Sequence, residues 1–520
     1  EWKFYLFDVA FQKYVIEKSF PVFKVTPYLM LANKKKTSSI NGLNQLFRVT
    51  KKSDNRTGVT TKISKLNNIE EESVLSKVDI SKIIYKIELG EHRILKDYEF
   101  EDAIQSLSKA YQDDHFFDYD LNFQSCKECE FKTTEEESHL KSGFKNCFSK
   151  KLNWKEDDFD APTIFEISKL HHTKTKYFSD KLTLKLENTE DEEFSPKNES
   201  SQVLDGWSLY ERQIIQKNKA IEKDTEPLVL KEKLKEEMDS WKFPLNFIDF
   251  ETSMVALPFY AGQKPYEQVA FQFSHHIYYK DGTIEHAKEY INLTPGESPN
   301  FDFIRALKKS LEQNEGSIFM FSNHENTVLN QILEQVYYSS IPDKAELFVF
   351  IQQITKSKKS SEFPDWEGYR CMIDLCEIIK AYYYNPHTKG SNSIKDVLPA
   401  VFKTSAFVID KYSKPLKDLN ITSKNFDNNK IWLTKDNGKV VDLYKSLGKI
   451  HEDHDETVTL IGELDEINNG GAALTAYGRC QYTDMSDAER KKIQNALLKY
   501  CELDTLAMVM IYEHLNEIIK

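Results

Sequence analysis

Two rhythms of apolar and polar residues run through the second half of the chain. Between Leu245 and Phe250 only Asn246 and Asp249 interrupt the apolar residues, and Glu267 to Tyr279 is rich in aromatic and β-branched side chains; both segments predict strands. Phe303, Ile304, Leu307 and Leu311 recur at helical spacing, Ser317 to Phe321 predicts a short buried strand, and Val328, Leu329, Ile332, Leu333 and Val336 form one stripe of a further helix. Leu228 to Trp241 predicts an amphipathic connecting helix, and Asp487 to about Leu515 a long terminal one. Strands followed by alternating helix and strand predict an α/β fold, a mixed sheet flanked by helices.

Composition changes that picture in three places. A chain of 520 residues is too long for one ordinary core, so several domains are expected. From about Leu186 the residues turn polar (Glu-Asn-Thr-Glu-Asp-Glu-Glu, then Ser-Pro-Lys-Asn-Glu-Ser-Ser), which predicts a solvated loop and a boundary. The resulting division is 1–150, a connector over 151–240, and 241–520. Seven cysteines do not make a disulfide framework in a chain of this size, which favours a reducing cytoplasm, and no apolar run suggests a membrane span. The net charge of -13 excludes a uniformly basic nucleic-acid coat but leaves room for a local basic path.

The candidate chemistry is acidic. Asp249 and Glu251 end the apolar strand on one face of it, where they can share a metal. Glu325 follows the short buried strand at the start of the next helix, the end of an open sheet where ligands gather. Tyr500 and Asp504 are four residues apart in the terminal helix, on one face and one turn from each other. Phosphodiester hydrolysis is helped by two divalent ions roughly 4 Å apart, and Mg²⁺ or Mn²⁺ prefers oxygen ligands. The set Asp249, Glu251, Glu325 and Asp504 suits that purpose, with Tyr500 to orient the water or the scissile phosphate. Asp374, in Ile373-Asp-Leu375, competes with Glu325 for the second acidic position. His275 and His276 read as packing residues of a strand, one facing inward and the other outward, and His324 is expected near the site without being needed as a ligand.

The order Asp-x-Glu, a later acid after a strand, then Tyr-x-x-x-Asp resembles the DnaQ-like DEDD exonucleases of the tyrosine subtype. Phrases such as Phe247-Ile-Asp-Phe-Glu-Thr252, Gly390-Ser-Asn-Ser-Ile-Lys-Asp-Val-Leu-Pro399 and Tyr500-Cys-Glu-Leu-Asp-Thr505 resemble an uncharacterised bacterial family, a domain of unknown function related to those exonucleases. The resemblance implies a ribonuclease H-like fold over about 240–520, a nucleic-acid partner (DNA or RNA) and removal of nucleotides from a 3′ end.

At the other end, Glu1-Trp-Lys3 before Asp8-Val-Ala-Phe-Gln-Lys-Tyr-Val15 predicts a strand ending in Glu-x-Lys and then a helix. This resembles the RecB-like nucleases of the PD-(D/E)xK class, an α/β module in which Glu1 would bind Mg²⁺ and Lys3 would steady the attacking water. Cys126, Cys129 and Cys147 are three thiolates that can converge on a metal. The resemblance to iron-sulfur nucleases implies a [4Fe-4S] cluster there; zinc and free thiols remain open. Two further functional readings are an endonuclease acting through the amino-terminal module, with the carboxyl-terminal domain positioning substrate, and a non-catalytic nucleic-acid-binding module.

Overall fold

The strand over Leu245 to Phe250 becomes the middle of the largest sheet. The computed structural model describes residues 2–51, 57–61, 73–117, 120–134, 137, 139–196, 204–358, 363–436, 439–441, 443–448, 467 and 469–520. They divide into two compact units, one of residues 1–39, 70–153 and 262–265, the other of 40–69, 154–261 and 266–520.

In the smaller unit, helix Lys3–Ser19 packs on helix Ser81–Glu88 through Phe7, Ala10, Ile84 and Ile87. An antiparallel pair joins Tyr28–Ala32 to Leu75–Asp79. The opening differs from its expectation, because Lys3 is the first residue of a helix and not the end of a strand. Glu1 lies outside the described residues.

The larger unit is mixed α/β. Its sheet has six strands: β1 (Leu245–Met254), β2 (Gln268–Tyr278), β3 (Ile284–Ile291), β4 (Ile318–Met320), β5 (Ile373–Asp374) and β6 (Ile421–Thr422), in the order β5-β4-β1-β2-β3-β6. β1 to β3 form an antiparallel meander, whereas β4 and β5 add in parallel on the far side of β1 and β6 pairs in parallel with β3. Nine of its helices bear on the site: α1 (Leu209–Glu222), α2 (Lys231–Asp239), α3 (Asn300–Leu311), α4 (His324–Tyr338), α5 (Lys344–Ile354), α6 (Leu375–Tyr382), α7 (Ile394–Thr404), α8 (Gly470–Tyr482) and α9 (Asp487–Ile519).

Alternation along β1 divides two cores. Leu245 and Phe247 point to the side of α6, α7, α8 and α9, whereas Ile248 and Phe250 pack with α3, α4 and α5. Both faces are covered, so β2 is buried from Gln268 to Ile277. This changes the expectation that only one of His275 and His276 faces inward: both are buried, His275 against Ser310 and Asn246, His276 against Thr505.

Residues 154–240 are built into this unit. Arg212 of α1 is buried and donates to the carbonyls of Ile379 and Tyr383. The polar stretch after Leu186 is not a solvated loop where it is described. Leu186 and Phe194 are buried, and Lys217 holds the backbone at Thr189 (2.6 Å) and the Asp191 carboxylate (2.7 Å). Its continuation over 197–203 lies outside the described residues.

Candidate metal-dependent active site

Asp249 and Glu251 stand on one face of β1, opposite Ser274 and Gln272 of β2. That face receives α9. Gln272 Nε2 donates to the Leu497 carbonyl at 2.8 Å, and Thr505 Oγ1 lies 2.8 Å from Ser274 Oγ and 2.7 Å from His276 Nδ1. These polar contacts fix the rotation of α9 on an otherwise apolar interface, turning Tyr500, Cys501 and Asp504 towards β1. A register shift between Glu251 and Thr252 marks a β-bulge, a device that re-aims a side chain at a site.

Glu325 comes from the opposite layer. β4 ends in a turn with Ser322 at a φ of 75°, unusual for a residue other than glycine, and α4 begins at once. The Glu325 carboxylate thereby reaches the Phe250 N–H behind the two strand acids. Glu251, Glu325, Asp504 and Tyr500 are buried and Asp249 is half-buried.

The family comparison falls on this region. Residues 246–393 match a family model described as "Domain of unknown function (DUF2779)". The DUF2779 segment contains Asp249, Glu251 and Glu325 and stops short of Lys395, Tyr500 and Asp504. No curated protein and no solved structure matches the chain.

The acids of the DUF2779 segment and α9 act on one another. Burial raises Asp249 well above the ordinary carboxylate range, and the charges of Asp504, Glu325 and Glu251 push it further. Burial and Asp504 do the same to Glu251, with Lys395 opposing. Burial is also the largest cause for Glu325, raised to about 8. Asp504 is raised by burial and held back by Lys395 and by the phenols of Tyr444 and Tyr500. Four carboxylates kept from water, with Lys395 as the cation that opposes their rise, are short of counter-charge. Glu325 Oε2 is buried without a hydrogen-bond partner. An all-oxygen donor set with an unsatisfied buried oxygen fits divalent Mg²⁺ or Mn²⁺.

Ligand atoms of Asp249, Glu251 and Cys501 lie within 4.8 Å of one another. Burial pushes the Cys501 thiol well above its ordinary value, and its Sγ approaches the Asp249 carbonyl at 3.5 Å and carboxylate at 3.6 Å. A protonated thiol is a hydrogen-bond donor, which lets Cys501 support Asp249.

The aromatic side of the site was only half expected. Tyr500 is where the sequence placed it, but two partners join it. Lys395, from the start of α7, sets its Nζ 2.6 Å from the Tyr500 hydroxyl and 4.8 Å above both the Tyr500 and Tyr444 rings. Tyr444 donates to Asp504 Oδ1 at 2.5 Å. Lys395 lies inside the phrase Gly390 to Pro399, yet a lysine among polar residues carries no sign of facing carboxylates; Tyr444 gave no signal.

Asp374 has another task. Its Oδ1 accepts from Cys376 N at 2.9 Å, capping α6, and from Ser322 N at 2.8 Å, which holds the strained turn before Glu325. It is absent from the charges that perturb Asp249 and Glu251, but among the carboxylates it raises Glu325 most, ahead of Asp504. His324 pairs with Thr252 at 3.1 Å. Cys376 and Cys480 are buried core thiols, and Cys371 is half-buried.

In the smaller unit Cys126, Cys129 and Cys147 are half-buried. Burial, then the neighbouring Cys129 and Cys147, pushes the Cys126 thiol up to about 11, so the three share one neighbourhood. They are not among the groups whose ligand atoms gather within 4.8 Å. Lys3 extends over the Phe7 ring at 5.8 Å.

Proposed function

We propose that the larger unit is a metal-dependent nuclease that removes nucleotides from the 3′ end of a single or frayed strand. The observation that carries this reading is the convergence of Asp249, Glu251, Glu325 and Asp504, all raised, with Asp504 pushing the other three up, beside a tyrosine hydroxyl held by a lysine. The strand order, a meander continued in parallel beyond β1, supports the ribonuclease H-like reading.

Asp249, Glu251, Glu325 and Asp504 would hold two ions of the Mg²⁺ or Mn²⁺ class, which when bound lower the pKa of water and neutralise phosphate charge. The chain's own residues do the rest. The Lys395 ammonium donates to the Tyr500 oxygen, so the phenol proton is directed away from Lys395, towards Asp504. Tyr444 occupies Asp504 Oδ1 and limits which carboxylate oxygens face inward. Tyr500 is thus a fixed hydroxyl at the edge of the acids, suited to orient the attacking water or the scissile phosphate.

The test is digestion of 5′-labelled and 3′-labelled oligonucleotides in Mg²⁺. A 3′-to-5′ ladder is expected from the wild type, falling by at least about 100-fold in Asp249→Asn and Asp504→Asn. A ladder that survives both substitutions refutes the assignment.

A second centre is proposed at Cys126, Cys129 and Cys147, holding an iron-sulfur cluster or zinc with a further ligand. Its support is the rise of the Cys126 thiol, caused by burial and then by the neighbouring Cys129 and Cys147. Analysis of purified protein for iron, labile sulfide and zinc, repeated on Cys126→Ser, decides between these and free thiols. The endonuclease reading through Glu1 and Lys3 finds less support, since Lys3 opens a helix.

A further inference from the structure

Four residues on α9 divide their directions: Tyr500 and Asp504 face the acids, whereas Glu502 and Lys499 face the loop that follows β6. Glu502 is buried and holds that loop by accepting from the Ser423 hydroxyl, from Asn425 N at 3.1 Å and from Asn425 Nδ2 at 2.8 Å. His286 Nδ1 lies 3.0 Å from the same carboxylate, and Asn425 Nδ2 also reaches Glu289 at 2.7 Å. Glu502 therefore serves as a clamp and leaves no unsatisfied oxygen to attract a metal.

The clamped loop presents Phe426, half-buried, with its ring edge-on to the buried Trp432 at 4.6 Å. Lys430 Nζ lies 5.7 Å from the Phe426 ring centre and 5.2 Å from that of Trp432, and Lys499 Nζ lies 5.9 Å from Phe426. Two ammonium groups thus share one aromatic ring. Among the described residues neither has an ion-pair partner; burial and Lys499 pull Lys430 below its ordinary value, and Asp427 only partly opposes them. Bringing two cations together with Asp427 offsetting them only in part costs free energy that an anion would remove. In a chain with a net charge of -13 this is a conspicuous place for under-compensated positive charge. Lys499 immediately precedes Tyr500 and lies five helical positions before Asp504, roughly 7.5 Å along the axis.

We propose that Lys430 and Lys499, seated on the Phe426 ring, form a phosphate-binding ledge for the backbone of the nucleic-acid strand whose end enters the acidic site. This rests on the nuclease reading above and adds where the strand lies. The clamp through Glu502 ties the ledge to the helix that carries Tyr500 and Asp504, so a phosphate held here has a fixed relation to the reacting end. The contacts are to phosphate and carry no base preference.

The experiment is fluorescence anisotropy of a labelled single-stranded oligonucleotide with wild type, Lys430→Met, Lys499→Met and the double variant, in EDTA, over a series of KCl concentrations. Methionine keeps the packing on the rings and removes the charge. The slope of log affinity against log salt should fall by about 0.7 for each lysine removed, with affinities converging at high salt. Lys309→Met, on the exposed side of α3, should leave the slope unchanged. No binding by the wild type, or an unchanged slope in the double variant, overturns the ledge. So does an oligonucleotide-independent loss in which the same variants lose only an acidic peptide. Turnover of the same oligonucleotide by wild type in Mg²⁺ is measured in parallel: absent turnover with a reduced slope refutes the nuclease reading alone, and turnover with an unchanged slope refutes the ledge alone.

Discussion

Lys395 brings positive charge to a site otherwise made of acids, and its contact with Tyr500 makes a specific demand on kinetics. Lys395→Met should lower kcat about 10-fold to 100-fold with little change in KM, and Lys395→Arg should recover part of it. If the lysine acts through the phenol, Lys395→Met should cost nothing more in a Tyr500→Phe background; equal losses in both backgrounds would assign it an independent role. Asp249, Glu251, Asp504 and Tyr500 were legible in the sequence because their spacing within one element settles which face they share. Lys395 and Tyr444 were not, since each reaches the site from an element whose own pattern says nothing about a distant carboxylate. The same reasoning explains Cys501, which only the docking of α9 on β1 makes a donor to Asp249.

At the scale of elements, the rival second-motif acids separate by what they hold. Asp374 holds backbone, so Asp374→Ala should cost on the order of 1 kcal/mol in urea unfolding for the lost cap, with further loss if the Ser322 turn relaxes. Glu325 holds nothing with its Oε2, so Glu325→Gln should weaken Mn²⁺ binding, by at least about tenfold in calorimetry, without destabilising the metal-free fold. The reverse result would exchange the two roles. The elements themselves were mostly readable, since β1, β2, α3, α4 and α9 lie where periodicity predicted them. The misreadings have a common origin. A polar stretch after Leu186 was taken for a loop although Leu186 and Phe194, sparse as they are, reach a core, and the opening strand was inferred from a motif and not from alternation.

For the molecule as a whole, the buried acids link stability to pH. Glu325 binds its proton more tightly folded, at about 8, than at its ordinary 4.5, so between these values the folded state holds more protons than the unfolded one. Stability of the metal-free protein should therefore fall as pH rises from about 4.5 to 8, and Glu325→Gln should flatten that fall. Mg²⁺ or Mn²⁺ should restore the lost stability at pH 8 in thermal unfolding; indifference to both ions would count against the metal site. No helix among the described residues is long and apolar enough to cross a membrane, and the net charge of -13 leaves the acids reliant on local cations.

One feature of α9 bears on time as well as space. Cys501 and Asp249 touch although 252 positions separate them, and Asp504 follows a turn later. During synthesis β1 emerges with its two acids long before the helix that completes the set. On the proposed reading the hydrolytic centre is therefore incomplete until α9 has been made, and a chain cut anywhere upstream of Tyr500 should show no hydrolytic activity however well its sheet has folded.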